Sequence, residues 1–141
     1  MNKTIVNDCV FCRIAKKEIP CKEIYRDDKT LAFLDIDPVS IGHALVIPTE
    51  HAEGIDELSE SAAGYLGKTI RKVAAAMRKS LGCDFNILNN RGKHAGQAVH
   101  HVHFHIIPRR GYLEEFSFQW KPVSYDKAVD QEILAAIKGK L

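Results

Sequence analysis

Histidine alternates with apolar residues over residues 101–107, which read His-Val-His-Phe-His-Ile-Ile. Alternation at period two predicts a β-strand, because successive side chains of a strand point to opposite faces. The apolar residues are therefore expected to face the core, and His101, His103 and His105 to share the other face. Three neighbouring imidazoles that titrate near neutral pH would repel one another if they were charged. A plain surface strand has no need of this arrangement, whereas a site that handles phosphate or a metal does.

Length and composition favour one globular domain over residues 1–141, with a core of about residues 9–110 and a C-terminal tail over 111–141. The net charge of +2 is too small to predict binding to nucleic acid, which needs basic residues clustered on one face. The chain has no apolar run of transmembrane length and no signal-peptide core, so no membrane partner is expected. We expect a cytoplasmic protein whose four cysteines are thiols or metal ligands.

The hydrophobic pattern predicts five strands and three helices. The strands are expected over residues 22–25, 30–36, 43–47, 85–88 and 99–108. Apolar residues at steps of three and four predict a long amphipathic helix over residues 57–81, which Gly82 ends. Short helices are expected just after Cys9 and over residues 129–137. Because strands and helices do not alternate strictly, the fold class is α+β with an antiparallel sheet.

The histidines and the loop before them fit phosphoryl or nucleotidyl transfer. A neutral imidazole is a good nucleophile at pH 7 when its other ring nitrogen is held by an acceptor, and His103 has this potential. His105 is placed to donate to a phosphate oxygen, and the loop over residues 90–97 has glycines that let backbone N–H groups approach an anion. Two alternatives are scattered structural histidines and a single metal on all three, although neighbours on one strand converge poorly on one ion.

Three segments of the chain resemble the histidine-triad (HIT) family. Residues 101–107 match its His-φ-His-φ-His-φ-φ signature, where φ is an apolar residue. Residues 90–92 and 96–99 resemble its phosphate loop, and residues 33–38 and 42–48 resemble its nucleoside-binding segment. The likeness extends over most of residues 9–109 and is greatest to the Hint-like bacterial and archaeal branch.

The resemblance implies a five-stranded sheet with one long helix, and hydrolysis of a nucleotide at its α-phosphate. His103 is then the nucleophile of a covalent nucleotidyl intermediate, and His101 orients it, partly through its backbone carbonyl. Phosphate oxygens are held by His105 and Gln97. The other implied site residues are His43 beside the triad, Asp35 on the ribose hydroxyls, Phe33 and Ile36 around a purine base, and Asn90, Gly96 and Ala98 at the phosphate end. Without the resemblance, several of these would be ordinary turn or core residues.

Ala98 departs from the family pattern, because Hint-like proteins usually carry serine or threonine at this position. A hydroxyl there would bond the phosphate or assist the leaving group, and alanine does neither. Galactose-1-phosphate uridylyltransferases differ from this chain around the histidines, which favours hydrolysis over uridylyl transfer.

Cys9 and Cys12 have the CxxC spacing of a zinc knuckle, which supplies half of a tetrahedral site. His51 and His101 are candidates for the other two ligands, and HIT branches with this CxxC show the same pattern, with a structural zinc. A redox CxxC or two buried thiols are the alternatives, but the βαβ context of a thioredoxin-like motif is missing. Cys21 and Cys83 are expected to be inert.

We therefore expect a nucleotide hydrolase with a structural Zn²⁺, no organic cofactor and, by analogy with the family, a homodimeric state. Its substrates are nucleoside phosphoramidates or (di)nucleoside polyphosphates. Three alternatives stay open: a nucleotide-binding scaffold with vestigial catalysis, a Fhit-type dinucleoside polyphosphate hydrolase, and a zinc-binding interaction module.

Overall fold

The computed structural model describes residues 8–111 and 116–141. In chain order its helices and strands are α1 (Val10–Ala15), β1 (Glu23–Arg26), β2 (Thr30–Leu34), β3 (Ala44–Pro48), α2 (Glu60–Leu81), β4 (Asp84–Asn89), β5 (Phe104–Arg109) and α3 (Lys127–Lys138). Two single 3₁₀ turns, Ile55–Glu57 and Lys93–Ala95, lie in the connections. The predicted α+β class, with one long helix and short terminal helices, is confirmed.

The five strands form one antiparallel sheet in the order β1-β2-β3-β5-β4. Because β5 lies between β3 and β4, His105 is flanked on both sides, opposite Leu45 of β3 and Leu88 of β4. The strand that carries the last histidine of the triad is therefore internal, and its backbone is held by two neighbours.

Each face of the sheet is covered by one helix. Alternate residues of β2 and β3 pack with α1 on the first face, in a cluster of Phe11, Ile14, Leu31, Phe33, Leu45 and Ile47. The residues between them pack with α2 on the second face, in a cluster of Ala32, Val46, Leu66, Val73, Ala74 and Ile106. Since Ile106 faces α2, its neighbour His105 faces the side of α1. The triad therefore lies on the same side as the CxxC segment.

Helix α2 begins at Glu60, three residues later than predicted. Ser59 sets this start, because its hydroxyl accepts the backbone N–H of Ala62 at 3.2 Å as an N-cap. Gly82 ends the helix with φ 61°, as predicted. Ile70 and Met77 pack against the α2-side cluster, whereas Tyr65 is exposed.

The predicted strand over residues 99–108 is wrong in its first half, because β5 begins only at Phe104. The backbone N–H of Val102 donates to the carbonyl of Ala52 at 2.8 Å, which holds this stretch against a loop and away from a strand ladder. Val102 and His101 are both fully buried, so apolar and histidine side chains are not sorted into an inner and an outer face here.

None of the residues of α3 is buried, and its apolar residues Val129, Ile133 and Ile137 are 41–58% exposed. The chain before it is attached to the sheet by Arg109, whose guanidinium donates to the carbonyl of Phe116 at 2.8 Å. All four cysteines are free thiols. Within residues 8–111 and 116–141, none of the helices has the length and apolar character that crossing a membrane requires.

Candidate active site

His103 is buried just before β5, and one of its ring nitrogens is held by the backbone. Its Nδ1 lies 2.7 Å from the carbonyl oxygen of His101. A carbonyl only accepts, so Nδ1 carries the proton and donates. Nε2 of the neutral ring then holds the lone pair, which is the state that nucleophilic attack requires.

His101 is fully buried and directs its other ring nitrogen away from His103. Its Nε2 lies 2.9 Å from the carbonyl oxygen of Pro48, so Nε2 is the protonated nitrogen and Nδ1 holds the lone pair. Burial, and secondarily the neighbouring His51 and His103, lower the pKa of His101 to about 4 even though the Pro48 carbonyl favours the charged form. The ring is therefore neutral at pH 7, and its Nδ1 is free to bind a metal.

His105 and His43 form a hydrogen-bonded pair beside the triad. The backbone N–H of Val39 donates to Nδ1 of His43 at 3.1 Å, which leaves the proton of the neutral His43 ring on Nε2. This Nε2 lies 2.9 Å from Nδ1 of His105 and donates to it. His105 must then carry its own proton on Nε2. The backbone N–H of Val39 therefore fixes the tautomers of both rings and makes Nε2 of His105 a hydrogen-bond donor.

Both members of this pair are neutral at pH 7. Burial, together with the neighbouring His103 and His43, lowers the pKa of His105 to about 4 against the opposing effect of Asp35. Burial also lowers the pKa of His43, against the opposing effect of Asp35. The Asp35 carboxylate lies 3.4 Å from Nε2 of His43 and 3.9 Å from Nδ1 of His105, so it faces the pair from the end of β2.

The loop over residues 90–97 is closed by Gln97, whose side-chain amide is hydrogen-bonded within the protein. Its side-chain oxygen accepts the N–H of Gly92 at 2.8 Å, and its amide nitrogen donates to the carbonyls of Glu53 at 2.6 Å and Val99 at 3.1 Å. Both amide hydrogens are thus used within the protein. Gly92 and Gly96 adopt φ of 87° and 79°, which side chains with a Cβ disfavour. The bonds from the Gln97 side chain to Gly92, Glu53 and Val99 therefore hold the shape of the loop.

The other residues predicted to hold a nucleotide lie around this loop and the end of β2. Phe33 is buried in the cluster with α1, whereas Ile36 is 92% exposed. Asp35 accepts the N–H of Asp37 at 2.9 Å in a turn. Asn90 reaches across the loop to the carbonyl of Gly96 at 3.4 Å. Ala98, at the end of the loop, is exposed.

Cys9, Cys12, His51 and His101 bring four ligand atoms together, all within 4.8 Å of one another. Nδ1 of His101 lies 3.4 Å from the sulfur of Cys9, 3.5 Å from that of Cys12 and 3.2 Å from Nδ1 of His51. Ligands of a tetrahedral zinc with bonds of about 2.0–2.3 Å lie about 3.3–3.8 Å apart. Two soft thiolates and an imidazole lone pair fixed by Pro48 are the donors that zinc prefers. The four residues therefore fit a zinc ion.

Three residues that contribute to the site were not among those predicted from the sequence. Asn89 donates from its side chain to the carbonyl of His103 at 2.9 Å. Val39 and Pro48 act only through their backbone groups, so their side chains gave no indication. Asn89 lies directly before the predicted loop, and its polar side chain at a strand end was the only available sign.

The sequence profile of the HIT domain family matches residues 16–112 of this chain. The chain is also similar to an adenosine 5′-monophosphoramidase of Schizosaccharomyces pombe. The two are 42% identical over 134 residues, which are 92% of this chain and 98% of that protein.

Solved structures give the same result. A HIT family member from Bacillus subtilis has a TM-score of 0.91 and 39% identity, and the match covers 96% of this chain and 98% of that one. A Zn-bound histidine triad family protein from Mycobacterium smegmatis has a TM-score of 0.72 and 34% identity, with 94% of each chain covered.

Proposed function

This chain belongs to the HIT domain family, and from that premise we propose that it hydrolyses nucleotides at the α-phosphate and releases a nucleoside monophosphate. The observation that carries the proposal is the 2.7 Å contact from Nδ1 of His103 to the carbonyl of His101, which leaves Nε2 as a free nucleophile. The similarity to an adenosine 5′-monophosphoramidase supports a hydrolase.

In the first step, Nε2 of His103 attacks the α-phosphorus and the bond from phosphorus to the leaving group breaks. A nucleotidyl-histidine forms, and the leaving group takes up a proton from solvent. The positive charge that develops on the imidazole is stabilised by the Nδ1–H bond to His101. In the second step, water attacks the same phosphorus and loses a proton to solvent, the electron pair of the phosphorus–nitrogen bond returns to Nε2 of His103, and the monophosphate is released.

His105 is the proposed donor to the charge that builds on the phosphoryl oxygens. Its Nε2–H is fixed by the bond from His43, so it needs no rearrangement when the charge develops. The ring centroids of His103 and His105 lie 5.0 Å apart, which places donor and nucleophile side by side. A neutral donor does not pair with and quench the neighbouring nucleophile.

The nucleotide is proposed to lie between the end of β2 and the loop over residues 90–97. Ile36 is 92% exposed and would pack on a purine base together with Phe33, and Asp35 would bind the ribose hydroxyls. Asn90, Gly96 and Ala98 would line the phosphate end. The Gln97 side chain would act through the shape of the loop, because its own amide is already bonded to Glu53 and Val99.

Cys9, Cys12, His51 and His101 are proposed to hold a structural Zn²⁺, as the similar Zn-bound protein supports. An ion with four protein ligands supplies a cross-link between the N-terminal segment and the residue before the nucleophile. The ring of His101 is thus a proposed metal ligand, and the backbone carbonyl of the same residue binds His103.

The proposal is tested by AMP release from adenosine 5′-phosphoramidate, measured for the wild type and for His103→Ala. We expect the variant to lose about 10⁴-fold or more in kcat, because the nucleophile is gone. His100→Ala, an exposed histidine outside the loop over residues 90–97 and outside the Cys/His cluster, is the matched control and should keep wild-type activity. Equal turnover by wild type and His103→Ala would contradict the mechanism.

Because Ala98 has no hydroxyl to assist the leaving group, it favours a second candidate function, a protein that binds nucleotides and does not hydrolyse them. Calorimetry with AMP separates the two, since this candidate predicts tight binding together with no release from phosphoramidates or from diadenosine polyphosphates. Preference for the diadenosine substrates would indicate the Fhit-type activity.

A second copy of the chain is the proposed protein partner. The supporting observation is the apolar face of α3, which no described residue buries. Sedimentation velocity should show a dimer, and a monomer at micromolar concentration would contradict this.

A further inference from the structure

Phe11, between the two cysteines of the CxxC segment, contacts the proposed nucleophile. Its ring centroid lies 5.1 Å from that of His103, with the ring planes at 79°. The same ring lies 5.9 Å from that of His101 and 5.7 Å from that of Phe33. We propose that Phe11 is a positioning residue that fixes the plane of the His103 imidazole for attack on the α-phosphorus. This inference rests on the proposed function.

The hydrogen bond to His101 does not fix the ring of His103 by itself. It restrains Nδ1, whereas the attacking atom Nε2 lies on the other side of the ring and still moves when the ring tilts. The ring of His105 contacts His103 at 5.0 Å with an angle of 63° between planes, so it covers only one part of the ring. A near-perpendicular contact from Phe11 supplies a second restraint, and misplacement of a reacting group by about 1 Å can cost about 100-fold in rate.

Phe11 is itself held firmly. It is 7% exposed, and α1 begins directly before it with Cys9 as the N-cap, whose sulfur accepts the backbone N–H of Cys12 at 3.4 Å. The sulfurs of both cysteines lie within 3.5 Å of Nδ1 of His101. The ring that contacts His103 and the carbonyl that binds it therefore belong to one cluster. Any metal in this cluster would restrain the nucleophile through both contacts.

The alternative is that Phe11 only fills space in the cluster with α1. Ile14 distinguishes the two, because it lies on the same helix, in the same cluster and with the same 7% exposure. Loss of packing at either position destabilises the fold. Only loss of the Phe11 ring should change the chemistry at His103.

The experiment compares wild type, Phe11→Leu and Ile14→Ala with their zinc content measured. The readouts are kcat, KM and the rate of nucleotidyl-His103 formation in an alkaline quench, which preserves the phosphorus–nitrogen bond. For Phe11→Leu we expect intermediate formation to slow about 10- to 100-fold, with KM within about threefold and unchanged zinc. Ile14→Ala should melt at a lower temperature and keep kcat within about twofold. Phe11→Met, which also lacks a ring, is the second variant if Phe11→Leu does not fold.

NMR of the His103 Nδ1–H proton provides a readout that does not depend on turnover. In Phe11→Leu this proton should exchange with water at least about fivefold faster than in wild type or Ile14→Ala. A wild-type rate of intermediate formation in Phe11→Leu, or an equal loss in Ile14→Ala, would overturn the inference. If the wild type forms no nucleotidyl-histidine, the proposed function fails instead, and unchanged proton exchange in Phe11→Leu would still overturn the positioning role.

Discussion

His101 and His105 lie at equal distances along the chain on either side of His103, and their ring nitrogens have opposite roles. His101 donates through Nε2 to the carbonyl of Pro48, which leaves the Nδ1 lone pair among two cysteine sulfurs and a second imidazole. His105 accepts at Nδ1 from His43, which leaves Nε2–H as a donor. His101 is fully buried and His105 is partly buried, but both rings are neutral at pH 7, so charge does not explain the difference.

The partner of the second nitrogen decides what each of these histidines can do. A backbone carbonyl next to one nitrogen makes the other nitrogen a metal ligand or a nucleophile, as in His101 and His103. An N–H donor next to one nitrogen makes the other a donor, as in His105. One short segment therefore combines a metal ligand, a nucleophile and an acid-like donor without any difference in side-chain type.

The largest expected effect comes from removing a ligand of the proposed zinc site to which His101 belongs. In Cys12→Ser we expect zinc content to fall from about one ion per chain to near zero and the melting temperature to fall by more than about 10 °C, because metal binding and folding are coupled. Cys83→Ser, which is outside the cluster, is the control and should keep both. Mass spectrometry under native conditions and thermal denaturation supply the measurements. Full stability of Cys12→Ser without metal would show that the cluster is not a zinc site.

Removing the Nε2–H donor of His105 should slow catalysis and leave the metal bound. His105→Ala should lower kcat about 10²- to 10³-fold, which is typical for loss of one donor to a developing charge. The amide nitrogen of glutamine reaches about as far as Nε2, so His105→Gln should recover about tenfold of this loss. Zinc content should equal that of the wild type in both. Loss of zinc in His105→Ala would mean that the two histidine groups are not independent.

The smallest effect concerns the dependence of stability on pH. Because the pKa of His105 is lowered from 6.5 to about 4, the unfolded chain binds more protons between these values, and stability falls as the pH decreases from 6.5 towards 4. Between pH 7 and pH 5 this residue should cost on the order of 2 kcal/mol in unfolding free energy. Urea denaturation of wild type and His105→Gln at both pH values isolates this contribution, since the two proteins share all other titratable groups. Parallel losses in the two proteins would be inconsistent with a neutral buried His105.

Much of the fold follows from local pattern, because all five strands, α2 and its Gly82 end carry periodic or capping signals. The stretch before β5 has no such reliable signal. Its alternation over residues 99–103 is compatible with a strand, but the backbone N–H of Val102 bonds to the distant Ala52 carbonyl and no strand forms. Candidate residues were recognisable by type, but their roles depend on partners far along the chain. Gln97 illustrates this, since Glu53 occupies its amide, and the backbone groups of Val39 and Pro48 were beyond any side-chain pattern.

The acceptor that sets the state of His103 is a main-chain carbonyl, and this affects how the protein can evolve. Substitution at position 101 changes the ring and with it a proposed metal ligand, but every amino acid that replaces histidine still brings a carbonyl to the same peptide. Drift in sequence can therefore erase the metal centre of a descendant while its nucleophile keeps its tautomer, provided that the chain path is preserved. Substitution at position 101 cannot remove this acceptor, because every encoded amino acid carries the same backbone oxygen.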